Sequence, residues 1–236
     1  NLKILKFKEI WGSFGVFTTI RLIGKPGKLI LFQSHFNGLI KSLRKYKIYN
    51  KKLEKVVRHL INLNINKNFN YDHLLRVALT KKDISISIRK RLKPKKNFEL
   101  KIINYKRIDP LTKNLYYKKI LKELNKYDPS KIDIALVNKG KILETCTSNI
   151  LFFKDKEYFS PKNNCYIGNT IKYLKGKIKI SFKDIYYKDL KKFEEIMLIG
   201  SGKGLTPVKY IKEMNWKSKN NFGYKKINKY LNFKSL

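Results

Sequence analysis

Leu143-Glu144-Thr145-Cys146-Thr147-Ser148-Asn149 is the stretch on which the reading of the fold turns. A carboxylate stands at the end of an apolar strand pattern and is followed at once by small hydroxyl and thiol side chains. An acid so placed can hold a protonated ring nitrogen through a charge-assisted hydrogen bond. Asn149 is expected to be structural, satisfying backbone groups of that turn. Three further segments complete a set: Lys113 in a polar turn opening a helical pattern, Gly168-Asn169-Thr170 ahead of another, and Gly200-Ser201-Gly202 between two strand patterns. An amine, a carboxylate and two turns whose amides can cup an anion are the parts needed to hold pyridoxal 5'-phosphate.

The apolar share of 42% allows a sizeable core and argues against disorder. No apolar run reaches the ~18 residues of a membrane span, and Asn1 to Lys8 alternates like a strand instead of forming a signal peptide. Cys146 and Cys165 are the only cysteines, which excludes a disulfide framework and suggests the cytoplasm. His35, His59 and His73 are scattered, so no metal site is expected. The net charge of +38 would suit a nucleic-acid binder, with Arg89-Lys90-Arg91-Leu92-Lys93-Pro94-Lys95-Lys96 as the densest run. The lysines are spread along the whole chain, however, and lysine, asparagine and isoleucine are abundant together, as AT-rich coding produces. No specific nucleic-acid partner is expected, although the field attracts small anions.

Strands are expected over Gly15–Ile23, Lys28–Phe32, Leu74–Thr80, Ile84–Arg89 and Phe98–Tyr105, from their β-branched and aromatic content. Phe36, Leu39, Ile40 and Leu43 recur at helical spacing behind Ser34 as N-cap, and a second helix is expected over Lys51–Leu63. This half reads as an α+β domain over 1–108. Asp109-Pro110 marks the boundary of a second domain over 109–236. There, helices are expected over Asn114–Leu124, after Gly168 and over Phe222–Phe233, with strands over Ile132–Asn138, Asn149–Lys154, Glu194–Ile199 and Leu205–Ile211. Lys113 then falls at the boundary, where a cleft is a common cofactor location. A lysine amine desolvated there gives up its proton more readily.

These residues resemble the class IV aminotransferase family, the fold type IV pyridoxal-phosphate enzymes, from about Gly12 to Val208. Gly15-Val16-Phe17-Thr18-Thr19-Ile20-Arg21, the Glu144-to-Asn149 run, and Glu194-Glu195-Ile196-Met197 through Thr206-Pro207-Val208 are most similar to the family's aminodeoxychorismate lyases. The resemblance implies a two-domain α+β subunit like the D-amino-acid aminotransferases, a homodimer, and pyridoxal 5'-phosphate at the domain interface. It implies Lys113 as the Schiff-base lysine, Tyr117 beside the cofactor, Glu144 at the ring nitrogen, and Asn169, Thr170 and Ser201 at the phosphate. The expected activity is the conversion of 4-amino-4-deoxychorismate to 4-aminobenzoate and pyruvate, with Arg89, Arg91 or Arg107 as candidates to steer its two carboxylates.

Two departures stand out. The family's phosphate-binding arginine, within His-x-x-Arg-Leu, is replaced by Gly38 in His35-Phe36-Asn37-Gly38-Leu39, and Lys41 is the candidate substitute. The sequence before Trp11 is also short against the family. An aminotransferase of the same family and a non-catalytic basic relative remain the alternatives.

Overall fold

The structure, a computed structural model, describes residues 6–232. They form two compact units: one runs to Lys90 and takes in Thr112–Lys119, and the other comprises Arg91–Leu111 and the chain from Ile120 onward. Thr112–Lys119, which lies beyond the boundary expected after residue 108, is therefore part of the first unit.

The first unit is a four-stranded antiparallel sheet with two helices. Its elements are β1 (Gly15–Gly24), β2 (Lys28–Leu29), α1 (Phe32–Lys45), α2 (Lys51–Asn64), β3 (Tyr71–Thr80) and β4 (Ile84–Lys90), in sheet order β2-β1-β3-β4. Strand alternation divides the sheet's two faces. Val16 and Ile20 of β1, with Leu75, Val77 and Leu79 of β3, pack on Phe36, Leu39, Ile40 and Leu43, the apolar stripe of α1. The opposite face carries Phe17 and Ala78, packed with Leu115. Gly15 is required where it stands, because a Cβ there would collide with the Leu79 carbonyl oxygen. The α2 N-terminus is capped by Asn50, whose side chain accepts the Leu53 amide at 3.0 Å, worth about 1 kcal/mol.

The second unit holds two sheets. Following β5 (Glu99–Asn104) and α3 (Lys118–Leu124), whose first two residues count with the first unit, come β6 (Ile132–Asn138), β7 (Lys141–Thr145), β8 (Asn149–Lys154), β9 (Glu157–Pro161), α4 (Asn169–Lys175), β10 (Ile180–Lys183), β11 (Ile185–Tyr186), β12 (Glu195–Gly200), β13 (Gly204–Pro207), β14 (Tyr210–Ile211), β15 (Trp216–Lys217) and α5 (Phe222–Asn228). One sheet runs β10-β9-β8-β12-β13 and the other β11-β7-β6-β5-β14-β15. Phe98, Leu100, Ala135, Val137, Ile142, Ile150, Phe152, Ile196, Leu198 and Trp216 form its core.

Several expectations shift. Ser34 is no cap: α1 begins at Phe32, after Leu31 in the left-handed region with φ 54°. The helix expected from Asn114 starts at Lys118, because Asn114 bridges Val16 and the backbone around Lys113 is hydrogen-bonded to β1. The single strand expected over Leu205–Ile211 is two strands in different sheets. Pro207 is tolerated because it stands on the edge strand; the Val208 amide still donates to the Ile196 carbonyl of β12 at 2.8 Å, and the switch comes at Lys209, whose amide donates to the Phe98 carbonyl at 2.7 Å. Of the strand expected over residues 1–8, residues 1–5 lie outside the described residues and Lys6–Lys8 is not in a strand.

Candidate functional site

Lys113 and Tyr117 stand in the first unit, on an extended segment laid against β1. The Phe17 amide donates to the Lys113 carbonyl and the Leu115 amide to that of Gly15, each at 2.9 Å. The Lys113 Nζ stands 5.1 Å from the centre of the Phe17 ring. Tyr117 meets the same ring edge-on, with centres 5.3 Å apart. His35 is buried, its Nδ1 2.9 Å from the Thr18 hydroxyl. Burial, followed by the charge of Lys113, pulls its pKa down to about 3, so the ring near Lys113 is neutral. Gly38 leaves no cation at its own position, and Lys41 and Lys45 are both exposed. The α1 cation that reaches this segment is Lys45, two turns beyond Gly38, whose Nζ donates to the Thr112 hydroxyl at 2.9 Å.

Register places three arginines on the sheet face that carries Phe17. Thr19 pairs with Arg76, and Arg21 with Leu74, whose neighbour on β4 is Arg89. Arg76 is held by both oxygens of Glu9, at 2.8 and 2.7 Å. Arg21 lies 3.8 Å from Asp72, and its buried Nε has no hydrogen-bond partner among the described residues.

Glu144, Asn169, Thr170 and Ser201 are gathered in the second unit. Glu144, at the end of β7, is 6% exposed, and its Oε1 accepts from Arg107 Nε at 2.7 Å. Arg107, itself 3% exposed, also donates to the Pro110 carbonyl at 2.7 Å. A buried carboxylate requires such a partner. Beyond it, Asp133 collects the hydroxyls of Thr145 at 2.9 Å and Thr147 at 2.5 Å, which folds the run after Glu144 into a tight turn. Cys146 is buried in that turn, and burial raises its thiol well above the usual range, so it is no nucleophile.

Asn149 is structural as expected, but it ties a different segment. Its side chain donates to the Tyr166 carbonyl at 2.6 Å and accepts the Gly168 amide at 2.9 Å, which holds the Gly168-Asn169-Thr170 turn against β8. Gly168 is the extended N-cap of α4, and Asn169 and Thr170 are buried in its first turn. The Gly200 turn joins the same group through Ser148, whose hydroxyl would lie 3.3 Å from a Cβ at Gly200. Ser201-Gly202-Lys203 forms a three-residue hairpin loop closed by Gly204 at φ +70°.

Sequence reasoning did not find the partnership of Arg107 with Glu144 or the roles of Asp133, Lys203 and Arg91. In a chain with 55 Lys and Arg, nothing local marks an arginine or lysine as buried. Burial pulls Lys203 below the usual lysine range, with Asp133 opposing. A cavity of about 310 Å³ in the second unit, lined by Lys154, Phe159, Lys183, Tyr186 and Phe193 among others, includes none of the candidate residues. Among the described residues no cluster of His, Cys, Asp and Glu could hold a metal ion, and no helix is long and apolar enough to cross a membrane.

The model of the amino-transferase class IV family matches residues 15–211. No curated protein sequence matches the chain. Among solved structures, a branched-chain aminotransferase of the archaeon Thermoproteus uzoniensis, crystallised with norvaline, superposes with a TM-score of 0.75 at 19% identity, over 92% of this chain and 84% of that one. A Legionella pneumophila protein provisionally assigned as a 4-amino-4-deoxychorismate lyase gives 0.74 at 16% identity, over 93% and 91%. A hypothetical aminotransferase of Mycobacterium tuberculosis, in its form with bound pyridoxal phosphate, gives 0.70 at 14% identity, over 92% and 87%. At these identities the likeness establishes the shared fold.

Proposed function

Because this chain belongs to the class IV aminotransferase family, the pyridoxal-phosphate enzymes of fold type IV, we propose that it is the lyase that converts 4-amino-4-deoxychorismate to 4-aminobenzoate and pyruvate. The observation that carries this choice of substrate is the face shared by Phe17, Arg21, Arg76 and Arg89, with the Lys113 amine above the Phe17 ring. A substrate with two carboxylates suits a face with more arginines than acids, and the buried Arg21 Nε lacks a hydrogen-bond acceptor. Of the three arginines expected to steer it, Arg91 and Arg107 are engaged with protein carbonyls and Glu144, and Arg89 remains the candidate. The sequences of β1 and of the Glu144-to-Asn149 run, which resemble the lyases, support the same choice.

The chemistry of each candidate suits the cofactor: a lysine in the first unit and, in the second, a buried acid of fixed orientation and two turns rich in amides and hydroxyls. When bound, the cofactor supplies an electron sink. Lys113 would hold it and, once displaced by the substrate's amino group, would take the proton from substrate C4. Glu144, fixed by Arg107, would keep the proton on the ring nitrogen. Tyr117 would lie beside the ring, and Asn169, Thr170 and Ser201 would bind the phosphate. The enolpyruvyl group leaves as pyruvate as the ring becomes aromatic. The reading includes a homodimer in the cytoplasm, acting on a small molecule.

The test supplies the purified protein with pyridoxal phosphate and 4-amino-4-deoxychorismate made in place from chorismate and glutamine by a synthase. The expected result is 4-aminobenzoate and pyruvate in equal amounts, both lost in Lys113→Ala. Conversion of a branched-chain amino acid in the presence of a 2-oxo acid, with neither product formed, would overturn the lyase in favour of an aminotransferase.

A further inference from the structure

The Ser201-Gly202-Lys203 loop is held from behind by two cations that the proposed chemistry does not use. Arg91 Nε donates to the Gly202 carbonyl at 2.7 Å and its Nη2 to the Lys203 carbonyl at 3.1 Å, where the Thr206 hydroxyl also donates at 3.1 Å. Within a planar trans peptide the N–H points opposite to the C=O. Drawing the Gly202 carbonyl onto the guanidinium therefore turns the Lys203 amide away from it, while Gly204 stays in the ladder opposite Gly200. Holding both carbonyls also removes from the open side the two dipoles that would repel an anion.

The lysine of this loop is turned inward, although a hairpin tip normally leaves a lysine in water. Lys203 is 9% exposed, its Nζ donates to the Pro129 carbonyl at 2.9 Å and stands 4.6 Å from the centre of the Phe98 ring. Its acid neighbour is Asp133, at 3.9 Å, which also holds the Thr145 and Thr147 hydroxyls. One fully buried carboxylate thus ties the loop to the turn that follows Glu144. An apolar side chain would occupy this interior at lower desolvation cost, so the ammonium is explained by what it holds in place. We propose that Arg91 and Lys203 are positioning residues that hold the Ser201–Lys203 loop open for the phosphate of the cofactor and set its placement relative to Glu144. The inference rests on the reading of the chain as a pyridoxal-phosphate enzyme.

The experiment measures equilibrium affinity for pyridoxal phosphate and for pyridoxal, which lacks the phosphate, in the wild type and in Lys203→Met, Arg91→Met and Arg91→Lys. Arg91→Lys keeps the charge but loses the fork, and it reports if either methionine variant fails to fold. The expected result is an affinity for pyridoxal phosphate about tenfold weaker, with pyridoxal changed by less than about twofold. Inorganic phosphate should also compete less well against pyridoxal phosphate in the variants. Equal losses for both aldehydes, or no loss, in folded variants would overturn the positioning role while leaving the enzyme reading intact. A wild type that binds neither aldehyde would overturn that reading and the inference with it.

Discussion

Glu144 and Arg107 are joined by a 2.7 Å hydrogen bond inside the second unit, each less than a tenth exposed. Neither charge is affordable there without the other, and removal of one partner of such a pair costs about 3–5 kcal/mol. Arg107→Ala is therefore expected to destabilise the protein by that amount. Arg107→Ala combined with Glu144→Gln should recover a large part of the loss, because no uncompensated carboxylate remains. Urea unfolding of the single and double variants checks this, and an Arg107→Ala cost below about 1 kcal/mol would contradict the buried pairing.

His35 makes stability depend on pH. Its folded pKa of about 3 lies below the 6.5 of the unfolded chain, so between those values the unfolded state binds the extra proton. The stability it contributes is present above pH 6.5 and is lost as the pH falls toward 3, by at most about 1.4 kcal/mol per pH unit. His35→Gln should flatten this part of the profile. Unfolding free energies at pH 7.5, 6 and 5 provide the comparison, and parallel profiles would remove His35 as the cause.

Lys45, not Lys41, is the cation of α1 that reaches the Lys113 segment, through Thr112. Lys45→Met removes the charged hydrogen bond that holds Thr112 next to Lys113 and, through that segment, is expected to weaken pyridoxal phosphate binding by up to about tenfold. The change in Lys41→Met should stay within about twofold. Absorbance titration measures both, and the reverse order would restore Lys41 as the substitute for the missing arginine.

Gly223 allows α5 to dock on β8. A Cβ there would stand 2.6 Å from the buried Phe153 ring, while the Gly223 and Tyr224 amides are held by Glu195 at 2.6 and 2.9 Å. Gly223→Ala should cost about 1–3 kcal/mol by overpacking, read as a drop in melting temperature. An unchanged or raised melting temperature would show that α5 shifts without penalty.

The elements legible in sequence were those whose own period reports burial. The Phe36, Leu39, Ile40, Leu43 stripe, β1 and the strands around residues 132–154 were placed within a few residues. Lys113 shows why the reading then failed locally. The polar turn and helical spacing after it were present, yet β1 captures residues 113–115 as a bridge partner and delays the helix to Lys118. Leu205–Ile211 differs for a related reason: its composition is that of one strand, but the Lys209 amide pairs with the Phe98 carbonyl and carries the chain into a second sheet.

The family, the candidate lysine, the acid and the two glycine turns are legible along the chain, because short-range chemistry and ordered spacing are written there. The pairing of Glu144 with Arg107, the hydrogen bond of Lys45 to Thr112 and the inward course of Lys203 to Asp133 become visible only in the folded chain. Those depend on which few of many similar cations lose their water, and desolvation is a property of the packed interior, not of the neighbours in sequence.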